Sequence, residues 1–192
     1  MQLTNQQVLP VEQSEVWAAL NDIPLLQKCI PGCDTMTSIG PDTYEVGLLA
    51  AIGPVRARFK GKLFLEDIQP PNSYSLKFEG QGGAAGHGKG GAKVWLQSGG
   101  PSETVLHYSV SATVGGKLAQ IGSRLVDMAA EKMAADFFAA FKVAVREKHP
   151  SAHTASQGGS EASEAAAGTQ GEGVWQRLRS WFNRIFSSNK TT

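Results

Sequence analysis

The middle of this 192-residue chain alternates apolar and polar residues with period two, and one long helical stretch follows it. In residues 55–66, Val55, Ala57, Phe59, Leu63 and Leu65 point one way, and Arg56, Arg58, Lys60, Lys62 and Glu66 the other. Such alternation belongs to a sheet with one wet and one covered face. Tyr44, Val46, Leu48 and Ala50 repeat the inward set, as do Tyr74, Leu76 and Phe78, then Ala92, Val94 and Leu96. Leu106, Tyr108, Val110, Ala112 and Val114 form the last inward row. From about Lys117 to Lys148 the spacing turns helical, with Leu118, Ile121, Leu125, Met128, Met133, Phe137, Phe141 and Val145 set among alanines. At 1.5 Å per residue this stretch is roughly 45 Å long, enough to cover a whole small sheet.

Ahead of these strands, residues 2–9 read as a strand ended by Pro10. Residues 12–20 and 23–29 read as two short helices, the second stopped by Pro31-Gly32. The predicted order is β-α-α-β(×6)-α, an α+β domain. The glycine-rich run at 80–91 reads as the end of one strand, a mobile loop and the start of the next, a flap at a cavity mouth. It lacks the spacing and the strand-to-helix context of a phosphate cradle. Gly122 is expected inside the long helix, at a cost of about 1 kcal/mol relative to Ala.

Charge is unevenly placed. Residues 1–150 carry fourteen basic and fourteen acidic side chains, and the net charge of the whole chain is +1. That balance argues against nucleic acid as a partner. Residues 151–173 contain Glu161, Glu164 and Glu172, no Lys or Arg, and no large apolar side chain, so a disordered linker is expected. Beyond it, residues 174–186 read VWQRLRSWFNRIF. Trp175, Leu178, Trp181, Phe182, Ile185 and Phe186 share one face of a helical wheel with Val174, while Arg177, Arg179 and Arg184 take the other face or its border. Thirteen helical residues span about 20 Å, too short to cross a bilayer but suited to lie in its interface. Each cation near an anionic leaflet contributes roughly 1 kcal/mol. Docking on a protein groove is the alternative.

The opening MQLTNQQVLP has neither a basic n-region nor an apolar h-region, so no secretory signal is expected. Cys29 and Cys33 flank the Pro-Gly turn and read as reduced thiols. The four histidines are scattered, and no metal site is expected. No catalytic constellation is found either. His87 falls in the expected loop, His107 is out of phase with inward Tyr108, and Asp127 with Glu131 reads as an exposed acidic pair on one helix face. The stripe Arg56, Arg58, Lys60 and Lys62 reads as a solvated face, with docking to acidic groups as the alternative.

Several segments, in order, carry a resemblance to a known family. They are residues 10–20 (PVEQSEVWAAL), 30–33 (IPGC), 53–57 (GPVRA) and 59–61 (FKG), then 114–125 (VGGKLAQIGSRL), the most specific. Over roughly residues 1–148 the chain resembles the family of the G-type subunit of carbon monoxide dehydrogenase, within the START-like (Bet v 1-like, helix-grip) superfamily. The resemblance implies a curved seven-stranded antiparallel sheet wrapped around a long C-terminal helix, with two short helices after strand 1. It also implies an apolar cavity between them, whereas on the residues alone a packed core is the simpler reading. The expected cavity residues are Val46, Leu48, Ala57, Phe59, Leu76, Phe78, Val94, Leu96, Tyr108, Val110, Ile121, Leu125, Met128, Met133 and Phe137. The implied role is non-enzymatic: an accessory protein of an aerobic molybdenum-containing CO dehydrogenase or a related molybdenum hydroxylase. No covalent cofactor is expected, and the cavity would hold an isoprenoid quinone. The tail would contact membrane lipids at the inner face of the cytoplasmic membrane. An adaptor without cargo and an enzyme acting on an apolar substrate remain as rivals.

Overall fold

The computed structural model describes residues 1–148. The linker expected at 151–173 and the tail at 174–192 lie outside the described residues. The elements are β1 (Gln2–Leu9), α1 (Gln13–Leu20), α2 (Ile23–Cys29), β2 (Cys33–Gly40), β3 (Thr43–Ile52), β4 (Val55–Gln69), β5 (Ser73–Gln81), β6 (His87–Gly100), β7 (Glu103–Gly115), α3 (Lys117–Gln120) and α4 (Ser123–Lys148). The seven strands form one antiparallel sheet in the order β1-β7-β6-β5-β4-β3-β2. This is the gripping sheet that the resemblance implies. β2 sits at an edge and reads CDTMTSIG. Only Met36 of that strand is buried, so alternation alone does not mark it.

The first two strands of the chain therefore stand at opposite edges of the sheet. Seven strands at ~4.8 Å spacing place those edges about 29 Å apart along the sheet. The crossing between β1 and β2 is made by α1 and α2. Asp22 fixes its midpoint: one carboxylate oxygen accepts from the Leu25 amide at 3.1 Å and caps α2. The other accepts from Lys148 Nζ at 2.6 Å, at the far end of α4. The Lys148 ammonium first, then the Leu25 amide, hold the Asp22 carboxyl below its usual range. The stability this adds is complete above the ordinary carboxylate pKa and is lost as pH falls through the lowered one.

The helix differs from the sequence expectation. It is two helices, with Gly122 between them at φ +92°, a backbone conformation that glycine tolerates and L side chains rarely adopt. The remaining helix, α4, has 26 residues, or about 39 Å. Its buried stripe runs through Val126, Phe138, Phe141 and Val145. With Leu9, Val11, Val16, Leu20, Leu96 and Leu106 the last three of these make the packed core. Phe137 stacks on Phe141 at 5.6 Å, and Tyr108 stacks on Phe138 at 4.9 Å. The dense packing thus lies at the C-terminal half of α4, beneath α1 and α2.

The glycine-rich run has the expected order of strand end, connection and strand start, but the connection is short and His87 is not in it. β5 continues to Gln81 and β6 begins at His87, so most of the run is paired strand. Only residues 82–86 connect the two, closed by Gly82 N donating to Gly86 O at 2.8 Å. His87 is accordingly on a strand, paired with Gly115, and exposed. The hairpin pairing of Gln81 with His87 and Gly80 with Gly88 limits the loop to its five central residues.

Thr104 is fully buried, and its hydroxyl donates to the Val11 carbonyl at 2.8 Å, tying β7 to the start of the crossing. Thr104→Val leaves that carbonyl unpaired. It should lower unfolding free energy by about 1–2 kcal/mol, read as a lower urea midpoint with unchanged slope. An unchanged midpoint would show that the bond adds nothing.

Candidate functional site

The concave side of the sheet is not filled along its length. One row of paired residues across it reads Val46, Gly61, Gly80, Gly88 and Val114. By strand parity, Gly61 is in phase with inward Phe59, Gly80 with Phe78, and Gly88 with Ala92. Three neighbouring strands thus present no side chain toward the helix at this row.

The space left is a chamber of about 320 Å³, lined by Gly61, Gly80 and Gly88 together with Val46, Leu48, Ala50, Ile52, Phe59, Phe78, Leu118 and Met133. Apart from Lys62 and Glu79, its wall residues carry no charge. A second chamber of about 300 Å³ lies between the sheet, α2 and α4. Leu3, Leu65, Leu76, Val94, Leu106 and Val110 come from the sheet, Ile23 and Leu26 from α2, and Ala130, Ala134, Phe137 and Phe138 from α4. Ile30 and Leu63 belong to both walls, so the chambers adjoin along the strand direction. Alanines at 130 and 134 let the helix stand over the sheet without filling the gap. Each chamber reaches the lower end of the size range of small-molecule sites.

The second chamber holds a few polar groups: Asn21, Tyr44, Tyr74 and Tyr108. The Asn21 amide donates to Trp17 O at 2.7 Å. The Tyr108 hydroxyl is hydrogen-bonded to Gln7; burial raises its pKa, and that bond partly offsets the rise. The Met1 ammonium donates to Ala112 O at 3.0 Å.

Of the residues expected from sequence, Val46, Leu48, Phe59, Phe78 and Met133 line the first chamber, and Leu76, Val94, Tyr108, Val110 and Phe137 the second. Ala57 and Leu96 line neither, Leu96 being part of the packed core. Ile121 and Leu125 approach the β3–β4 turn at Gly53 instead. Leu125 is 41% and Met128 57% exposed. At about 100° per residue, Leu125 and Met128 fall roughly 100° and 160° away from Val126 on the helix wheel. The break at Gly122 resets the phase that the sequence pattern carries through residues 117–148.

The glycine row, Tyr44, Tyr74 and the α2 face are absent from the sequence-derived site. Their signal is nonetheless present: each of those sheet positions keeps the inward parity of its strand, and Ile23, Leu26 and Ile30 recur at helical spacing. Asp127 is half-buried rather than exposed, and its Oδ1 has no partner. It stands about 100° from Val126, at the border of the buried stripe. The membrane-binding candidates Trp175, Arg177, Leu178, Arg179, Trp181, Phe182, Arg184, Ile185 and Phe186 lie outside the described residues.

The other face of the sheet is polar. Arg56, Arg58, Lys60 and Lys62 are exposed, and Arg58 pairs with Asp34. A broad depression of about 780 Å³ there is lined by Glu66, Lys77, Glu79, Lys89 and Lys93 among others. His107 lies on this face, stacked on Trp95 at 5.2 Å and away from the chambers. Cys29 and Cys33 are free thiols whose pKa values burial raises. Among the described residues, no group of His, Cys, Asp and Glu stands close enough to hold a metal ion.

A model of the CoxG family, described as the G-type subunit of carbon monoxide dehydrogenase, matches residues 7–146. No curated protein matches the chain. Among solved structures, a conserved protein from Geobacillus kaustophilus shares 32% identity over 78% of this chain and 97% of its own, with a TM-score of 0.73. A START superfamily protein from Mycobacterium smegmatis is 11% identical, with a TM-score of 0.60 over 77% of this chain and 98% of its own. The ZhuI aromatase/cyclase from Streptomyces sp. R1128 is also 11% identical, with a TM-score of 0.57 over 80% of this chain and 98% of its own. The last two show the fold alone, a START-like helix grip.

An ideal Cβ on Gly80 meets nothing closer than Lys60 O at 3.7 Å, and one on Gly88 nothing closer than Thr113 O at 3.7 Å. The double variant Gly80→Val, Gly88→Val therefore fits the backbone and fills the first chamber. Its urea midpoint should not fall, because glycine is a poor strand residue and valine a good one. Binding of the neutral dye N-phenyl-1-naphthylamine, read by fluorescence, should weaken about tenfold. Undiminished dye binding by a folded double variant would show that the chamber is not the apolar site.

Proposed function

Because this chain belongs to the CoxG family of carbon monoxide dehydrogenase, we propose that it is a non-enzymatic accessory protein of a molybdenum-containing CO dehydrogenase or a related hydroxylase, carrying an isoprenoid quinone in its cavity. Membership of the family supplies the enzyme partner. The observation that supports a cargo is the pair of adjoining apolar chambers, the first of them beneath the glycine row. Each methylene that leaves water for such a slot contributes about 0.8 kcal/mol, so an isoprenoid chain favours it strongly.

The partition of roles follows from the chain's organisation. Residues 1–148 hold the cargo. No helix among the described residues is long and apolar enough to cross a membrane. Lipid contact is assigned to residues 174–186, whose sequence mixes tryptophan and other large apolar residues with arginines, a composition that suits an anionic inner leaflet. Residues 151–173 link the two and let the carrier reach both the leaflet and the dehydrogenase. Electrons from CO oxidation then pass to the carried quinone and with it to the respiratory pool.

Two measurements on purified protein test this reading. Organic extracts of the full chain, expressed in a quinone-producing bacterium, should contain an isoprenoid quinone by mass spectrometry. Deleting residues 174–192 should abolish co-sedimentation with anionic liposomes and leave quinone binding unchanged. A full chain that neither retains nor takes up quinone, yet still sediments with liposomes, overturns the carrier reading in favour of an adaptor without cargo.

A further inference from the structure

Tyr74 is a polar wall group of the second chamber that is both deeply buried and chemically unused. Its residue is 8% exposed. Its ring is held in the sheet row through Val94 to Tyr108 and packs edge-on against Trp17, with centroids 5.8 Å apart. Tyr108, in the same row, has Gln7 as its partner. Among the described residues, no hydrogen bond engages the Tyr74 hydroxyl. Burial, with a smaller contribution from Tyr44, holds that hydroxyl protonated far above the usual range of a phenol, so it is a donor at every physiological pH.

The enclosed side-chain atoms without a partner among the described residues are His107 Nε2 and Asp127 Oδ1, so the Tyr74 hydroxyl opens onto the chamber, where an acceptor on a ligand can reach it. Besides Asn21, Tyr44 and Tyr108 the chamber around Tyr74 is apolar, and its lining includes no Lys, Arg or His. A ligand carboxylate there would find no side-chain cation to offset its desolvation. The Met1 ammonium keeps its charge, but it sits on Ala112 O at the chamber's edge, four residues or about 13 Å along β7 from the Tyr74 row, out of reach of a ligand head beside Tyr74. The matching ligand is therefore neutral, apolar in body, and carries a carbonyl oxygen.

We infer that Tyr74 is the polar anchor of the cavity: its hydroxyl donates to a carbonyl oxygen of a neutral, apolar ligand and so discriminates against both plain hydrocarbons and fatty acids. The inference rests on the carrier reading above and adds to it the residue that recognises the head of the cargo. It also predicts an uncommon sign for stability. Removing the Tyr74 hydroxyl breaks no internal hydrogen bond, so the unliganded protein should be no less stable without it. A hydroxyl serving the fold through an internal bond would show the reverse.

The test compares the full chain with its Tyr74→Phe and Trp95→Phe variants, using decylubiquinone, decylbenzene and palmitate as probes in calorimetric titration. Tyr74→Phe should bind decylubiquinone about five- to tenfold more weakly, bind decylbenzene equally well, and unfold at the same or higher urea concentration. The infrared carbonyl stretch of bound decylubiquinone should move to higher frequency in that variant. Trp95→Phe, on the outer face of the sheet and away from both chambers, should leave both the affinity and the stretch unchanged. If the wild-type chain binds decylubiquinone and Tyr74→Phe matches it in affinity and carbonyl frequency, the anchor is overturned and the carrier reading stands. If the wild-type chain binds none of the probes, the carrier reading itself falls. Palmitate binding as tight as decylubiquinone would overturn the neutral-ligand argument.

Discussion

The structure depends on an uneven filling of the space between one curved sheet and one helix. At its C-terminal half α4 sinks Phe138, Phe141 and Val145 into a dense core shared with β1, β6, β7, α1 and α2. Those aromatics fix the height of the helix above the sheet. Once that height is set, its N-terminal half must pass over strands whose inward row carries Gly61, Gly80 and Gly88. Side chains absent from one surface and alanines on the other leave a gap that the rigid far end prevents from collapsing. A cavity is stable in a domain only when something else holds its walls apart; here the aromatic end of α4 does so, and the Asp22–Lys148 pair ties the last residue of the helix to the crossing segment.

The same uneven filling decides how much is legible in the sequence. Period-two alternation places β3 to β7, because each buries one face, while Pro10 ends β1 and Pro31-Gly32 stops α2. The helix break is hidden because the apolar spacing across Gly122 looks continuous, although the backbone there is in the left-handed region. The same continuity draws Leu125 and Met128 into the expected cavity. The glycine run reads correctly as strand end, loop and strand start, but glycine density does not show how short the loop is, so His87 is expected in it although it already pairs on β6. Strand parity, applied to the glycines as to the valines, shows them facing inward. Tyr74 is visible as an inward residue, but its significance lies in the missing partner, which only a three-dimensional arrangement reveals.

The two ends of the domain have different chemical tasks. The packed end supplies stability and tolerates little change. The open end is apolar, free of charged side chains except at Lys62 and Glu79, and contains few hydrogen-bonding groups. Such a site favours a guest with a long hydrocarbon body and one modest polar feature, and it offers little to a charged metabolite. The related fold of an aromatase/cyclase shows that a helix grip can also house chemistry, so function here is argued from the lining and the family rather than from architecture. The outer sheet face, with its arginines and lysines, stands apart from that site and keeps the domain's convex side in water.

The central physical claim is that these chambers are open space in the folded protein, and xenon reads that directly. Dry apolar cavities bind xenon, whereas packed interiors exclude it. Diffraction from crystals of the protein under xenon pressure should show xenon beside the Gly61–Gly80–Gly88 row and again near Tyr74. Crystals that diffract well but hold xenon at neither place would mean that side chains close the gap, contradicting the account at its base.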